Sequence, residues 1–127
     1  MADVNRGNRP LSPHLSIYRP QITMITSIMH RITGVGMTLA AVLIVWWFLA
    51  ASTGPEYFAV ADAVLTSWFG ALILIGSLWA LSYHLCNGIR HLFWDVEQGL
   101  EMETARKTGY AVFVASVVLT ILTLIVI

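Results

Sequence analysis

Three long stretches free of formal charge constrain this chain more than any other feature. The first lies between Arg31 and Glu56 and reads ITGVGMTLAAVLIVWWFLAASTGP. The second lies between Asp62 and Arg90, interrupted only by His84, and the third follows Lys107 to Ile127. Each holds the roughly 20 residues a helix needs to cross ~30 Å of hydrocarbon at ~1.5 Å per residue. Lipid offers backbone groups no hydrogen bonds, so a span must be a helix or part of a closed barrel. Continuous apolar runs, rather than alternating ones, select helices. The expected fold is all-α and integral to the membrane, one domain over residues 1–127 with spans at about 29–52, 65–93 and 107–127. Thr53, Gly54 and Pro55 supply the helix-breaking chemistry that ends the first span.

The basic residues set a direction. Arg6, Arg9, Arg19 and Arg31 precede or open the first span, and Arg90, Arg106 and Lys107 flank the loop between the second and third. All seven Lys and Arg thus fall on one side, which the positive-inside rule makes cytoplasmic. The expected amino terminus is cytoplasmic and the carboxyl terminus periplasmic, in a bacterial inner membrane. Residues 1–28 form the cytoplasmic amino-terminal segment. Pro10, Pro13 and Pro20 make residues 1–22 extended chain lying on the membrane or a partner. Nothing in this opening reads as a charged n-region followed by an apolar h-region, so no cleavable signal peptide or transit peptide is expected. Trp46, Trp47, Tyr57, Phe58 and Trp94 lie toward span ends, as interfacial aromatics do.

Composition narrows the function classes. Only 11% of residues are charged against 57% hydrophobic, and soluble domains carry about 25% charged residues. A net charge of zero gives nucleic acid no electrostatic handle. A single cysteine, Cys86, excludes an internal disulfide and any CxxC motif. Three spans without an internal repeat are poor material for a secondary transporter, which usually shows paired halves.

The chemistry sits in the polar residues that do not belong in lipid. An ionisable side chain inside a span is a functional candidate by default. His84 lies six residues inward of Arg90, about 9 Å along the helix. Imidazole is a common metal ligand and a usual axial ligand of haem iron. Hydrogen bonding to a neighbouring helix explains a lone histidine equally well. Asn87, Gly88 and His91 follow at i+3, i+4 and i+7 on the same face. Gly88 opens the backbone to a flat group or to close helix packing, and Cys86 points away from this face. In the first span Ser27, His30, Arg31 and Gly34 repeat the spacing at the basic edge. That stripe reads either as a binding face or as a solvated helix entrance.

At these residues the sequence resembles a known family. The run RPLSPHLSIYRPQITMITSIMHRITG at 9–34, followed by HLCNGIRHLFWD at 84–95, is similar to the two signatures of the cytochrome b membrane-anchor subunits of succinate dehydrogenase, respiratory complex II. One departure is Glu97, where members often carry glycine or another small residue. The resemblance implies that His84 is an axial ligand of haem b. It implies that Ser27, Ile28 and Arg31 line a ubiquinone pocket, and that His30, Arg31 and His91 lie near the haem propionates. It implies a second membrane-anchor subunit, an iron–sulfur subunit and a flavoprotein subunit as partners, with membrane lipid around them. The anchor of a fumarate reductase is a close variant. A haem-free assembly anchor and a small proton or ion conductor with His84 as relay are readings of another class. Asp95 is expected to pair with Arg90 or Arg31, or to be solvated.

The second haem ligand is expected from outside the chain. His14 is in the cytoplasmic segment, and His91 lies about 10 Å beyond His84 on one helix. His30, beside Arg31, is expected roughly two turns shallower than His84 if the spans stand upright. Met37 is a rival of plausible depth, and the resemblance favours a histidine of the second anchor subunit.

Overall fold

The computed structural model describes residues 17–127, and within them the only regular elements are helices: α1 Ile22–Thr53, α2 Pro55–Leu65, α3 Trp68–Asp95 and α4 Met102–Val126. His14 and the expected extended segment up to residue 16 lie outside the described residues. Three of the helices, α1, α3 and α4, are long and apolar enough to cross a membrane.

The first helix begins seven residues before the expected span start, at Ile22 rather than 29, directly after Pro20 and Gln21. Its 32 residues extend about 48 Å, well beyond the hydrocarbon thickness. It stops where the Thr53-Gly54-Pro55 chemistry requires. Gly54 takes φ 152° and ψ 164°, a region open essentially to glycine, and Pro55 then starts α2 with the fixed φ that suits a first helical position.

The connection expected as loop is therefore largely helix. Glu56 and Asp62 mark this segment as outside a span, but Ala61 and Leu65, four residues apart, form a buried face. The aromatic residues tie it back onto α1. Trp46 Nε1 donates to Tyr57 Oη at 2.8 Å, and Trp47 meets Phe58 edge to face with centroids 5.3 Å apart. The turn into α3 is capped by Ser67, whose hydroxyl accepts from Gly70 N at 3.1 Å. Gly70 is obligatory there, because a Cβ would run into the carbonyl oxygens of Val64 and Leu65.

The packing is that of a membrane protein. Ala50, Ala80, Ala105, Thr26, Thr33, Ser82, Ser116 and Thr120 are buried, while Val35, Leu39, Val114 and Ile125 point outward. Small residues let backbones approach, since lipid gives no hydrophobic reason to hide a leucine. The buried hydroxyls satisfy themselves on their own helix, as Ser82 does on Leu78 O at 2.9 Å and Thr120 on Ser116 O at 2.8 Å. Helix α3 packs against both α1 and α4, so the start of α1, the end of α3 and the start of α4 share one end. Arg31, Arg90, Arg106 and Lys107 all belong to that end.

Candidate functional site

The site forms where α1 and α3 run antiparallel near the basic end. Thr33 and His84 fix the register: Thr33 Oγ1 lies 3.3 Å from His84 Nδ1. The Thr33 hydroxyl proton is committed to its own helix, to Met29 O at 2.8 Å and His30 O at 3.0 Å. Its oxygen can then only accept, so the His84 ring carries its proton on Nδ1 and leaves Nε2 bare. Gly34 makes room for that ring, because a Cβ at this position would stand 3.3 Å from His84 Cε1.

His30 does not lie two turns shallower than His84. The two rings stack with centroids 3.7 Å apart and an interplanar angle of 16°. His30 is only three residues before Thr33, so one turn separates the levels and the side chains close the gap. The reason is that Arg31 does not mark the level of the basic residues on α3. Arg31 is exposed on the outer side of α1, and the α1 residue joined to Arg90 is Thr26, five positions earlier. Met37 stands four residues, about 6 Å, beyond the level of Thr33.

His91 completes a row of three imidazoles, 5.0 Å from His30 by centroid. Its Nδ1 lies 2.7 Å from Asn87 O, an atom that only accepts, so this ring too carries its proton on Nδ1. The 3.5 Å approach of Asn87 Nδ2 to the same nitrogen is then no hydrogen bond. His30 Nδ1 is buried without any hydrogen-bond partner among the described residues. Buried polar atoms are nearly always satisfied, and an orphan in a row of imidazoles, with Nε2 of His84 left bare, suits a cofactor with a ligand-accepting metal and polar edge groups. Within the described residues no three His, Cys, Asp or Glu side chains converge to hold an ion by themselves. A haem, which brings four of its own nitrogens and asks one ligand of each protein face, fits this donor set.

The Ser27, His30, Arg31, Gly34 stripe is divided by the packing. His30 and Gly34 turn toward α3, Ser27 is half-buried at the border, and Ile28 and Arg31 are exposed. Neither Ser27 nor Arg31 makes a side-chain hydrogen bond or ion pair among the described residues. Asp95 pairs with neither Arg90 nor Arg31; the one ion pair among the described residues joins Lys107 to Glu103 at 2.7 Å.

Arg90 and Tyr83 are the residues the sequence reading missed. Arg90, a basic residue at the expected cytoplasmic edge, is only 5% exposed. Its Nε donates to Thr108 Oγ1 at 3.0 Å, Nη1 to Thr26 Oγ1 at 3.0 Å and Asn87 Oδ1 at 3.3 Å, and Nη2 to Ala105 O at 2.7 Å. The guanidinium carbon also sits 4.1 Å from the centre of the Trp94 ring. Tyr83, fully buried, donates its hydroxyl to Thr26 O at 3.0 Å. The available signal was the one applied to His84: an ionisable side chain within a span needs named partners.

Comparison with known proteins bears on this geometry. The family model for the succinate dehydrogenase/fumarate reductase transmembrane subunit matches residues 5–123. The succinate dehydrogenase cytochrome b556 subunit of Paracoccus denitrificans is 60% identical over 126 residues, covering 99% of this chain and 97% of the relative. The cytochrome b556 subunit of Rickettsia conorii is 42% identical over 116 residues, 91% of this chain and 90% of the relative. The cytochrome b560 subunit of the liverwort Marchantia polymorpha is 35% identical over 124 residues, 93% and 90% of the two.

Proposed function

The chain belongs to the succinate dehydrogenase/fumarate reductase transmembrane subunit family, and from that membership we propose that it is the haem b-binding membrane anchor of a succinate:ubiquinone oxidoreductase. It holds the iron–sulfur and flavoprotein subunits at the membrane together with a second anchor subunit. The relatives named above all carry succinate dehydrogenase names, which supports succinate oxidation over the reverse reaction. The one-sided distribution of basic residues supports a cytoplasmic amino terminus and a periplasmic carboxyl terminus in the bacterial inner membrane. A reporter fused after Ile127 that is active in the cytoplasm refutes that orientation.

The observation that carries the reading is the imidazole row, with His84 Nδ1 engaged by Thr33 and His30 Nδ1 orphaned. His84 would hold the haem iron through Nε2, and the second anchor subunit would supply the other ligand. His30, Arg31 and His91 serve the propionate edge, where cations and N–H donors meet carboxylates. When bound, haem b supplies a one-electron store near the quinone. Ubiquinone docks against Ser27, Ile28 and Arg31, on the side of α1 that this chain leaves open. A hydroxyl donor and a guanidinium there stabilise the charge that develops on a quinone oxygen as it is reduced.

The test is made on the assembled complex. Ser27→Ala and Arg31→Leu should lower ubiquinone reduction about a hundredfold, the scale of losing one such donor. Succinate oxidation by an artificial acceptor should survive, because it bypasses the membrane site. Unchanged quinone kinetics in both variants removes this site. A purified complex without a reducible b-type spectrum leaves the haem-free anchor standing instead.

A further inference from the structure

Arg90 is a buried cation that pairs with no carboxylate among the described residues, an arrangement that costs free energy unless its donors are used. The fold uses them on three helices at once, through Thr26 on α1, Asn87 on α3 and Ala105 and Thr108 on α4. Thr26 is the focus of the arrangement. It is fully buried and is gripped at two atoms from two turns of α3, its hydroxyl oxygen by Arg90 and its carbonyl by Tyr83. Its own hydroxyl proton goes to Thr23 O at 2.9 Å, so the oxygen faces Arg90 as an acceptor. Gly109 on α4 allows the closeness: a Cβ there would stand 3.1 Å from Ile22 Cγ1, 3.6 Å from Thr26 Cγ2 and 3.7 Å from Arg90 Nη2.

Ser27 follows Thr26 directly, and Arg31 lies one turn on. Among the described residues neither side chain has a tether of its own. Their placement follows from the rotation and depth of α1, whose outward face is aliphatic and resists neither. Polar contacts from α3 to α1 are Tyr83 and Arg90 on Thr26 and the longer approach of His84 to Thr33. A ring of directional bonds at Thr26 fixes both the rotation and the depth in a way that apolar packing does not.

We infer that Arg90 and Tyr83 are positioning residues for quinone reduction, acting through Thr26 to hold Ser27 and Arg31 in place; this rests on the quinone reading above. Tyr83→Phe is the decisive variant, because it removes only the hydroxyl and keeps the ring contacts with Trp79 and Phe113. Thr26→Val removes the hydroxyl acceptor, and Gly109→Ala presses on Ile22 from α4 while making only ordinary contact with Thr26 Cγ2 and Arg90 Nη2. Each is assembled into the whole complex, with Ser27→Ala as reference. The expected result for the three is a ubiquinone KM raised about threefold to tenfold, with the succinate-to-artificial-acceptor rate and the reduced haem spectrum unchanged. The double variant Tyr83→Phe/Thr26→Val should raise KM beyond either single, since the two break separate bonds, at the carbonyl and at the hydroxyl of Thr26. A merely structural role would instead lower haem content and assembled complex together and leave KM alone. That outcome, or an unchanged KM in all three variants while Ser27→Ala impairs quinone reduction, overturns the positioning role and leaves the quinone site standing. Normal kinetics in Ser27→Ala overturns both.

Discussion

Thr33 is the residue whose contribution is most separable from the packing around it. Its hydroxyl accepts from His84 Nδ1 while donating to Met29 and His30 carbonyls, so it selects the tautomer that leaves Nε2 free. Ligating histidines generally have their second ring nitrogen engaged in this way, which orients the ring and raises its basicity. Thr33→Val keeps the branched shape and removes the acceptor. The expected result is a haem bound about tenfold more weakly, with a midpoint potential shifted upward because a less basic ligand favours the ferric state less. A redox titration of the purified complex measures it, and an unchanged potential with full haem content rejects the role. At this scale the sequence was informative about faces and poor about depth. The i, i+7 spacing does group His84 with His91 on one side of α3, where both rings meet His30 of α1. Depth was read from the nearest charge, and for His30 that failed because Arg31 faces outward while Thr26 is the residue level with Arg90. The polar partner of a buried arginine on another helix leaves no periodic trace, so Thr26 could not be picked out.

The helix ends carry their own arguments. Three long apolar stretches required three long helices, and the break at Thr53-Gly54-Pro55 required the first to stop there. Helix α2 was hidden because Glu56 and Asp62 speak against a span, and a short connecting helix is revealed only by the pairing of Ala61 with Leu65 and by the aromatic contacts to α1. The end of α3 shows a local conflict between residue and backbone. Val96 is its C-cap, Glu97 N donates to Trp94 O at 2.9 Å and Gln98 N to Phe93 O at 2.9 Å, the two bonds of a Schellman closure. That closure needs a left-handed residue at 97, and Glu97 takes φ 59°. A side chain there carries a penalty of roughly 1–2 kcal/mol that glycine escapes. Glu97→Gly should therefore raise the thermal stability of the anchor by about 1 kcal/mol, less whatever the freer unfolded chain returns. Heat inactivation of the complex in mild detergent reads this out, and a lower transition temperature counts against the account. The departure of position 97 from small residues was visible in the sequence; that it sits in a helix closure was not.

The molecule as a whole looks unfinished in one direction, and that bears on how many haem ligands it supplies. A low-spin b haem needs two ligand atoms on opposite faces of one iron. The lone pair of an imidazole lies in its ring plane, so rings stacked at 3.7 Å and 16° direct their lone pairs side by side rather than at a common point. His30 is close to His84 and is nevertheless placed as a neighbour, not as an opposing ligand. His91 is held on the same helix through Asn87 O, and Met37 lies one turn beyond the Thr33–His84 level. On α1, Ile28 and Arg31 beside this cluster are left open by the chain's own packing, Ile28 being 45% exposed. The second ligand is thus expected from another chain, and the metal would then link the two anchors. His84→Leu should abolish or alter the haem spectrum and weaken anchor pairing, whereas Met37→Leu and His30→Ala should keep a low-spin spectrum, the second with a shifted potential from loss of an edge donor. Visible and paramagnetic-resonance spectra of the purified complex distinguish these outcomes. The sharpest arm is expression of this chain without its partners: a bis-ligated low-spin haem in the isolated chain would falsify the two-chain site, because every ligand would then have to come from the four histidines and five methionines counted in this sequence.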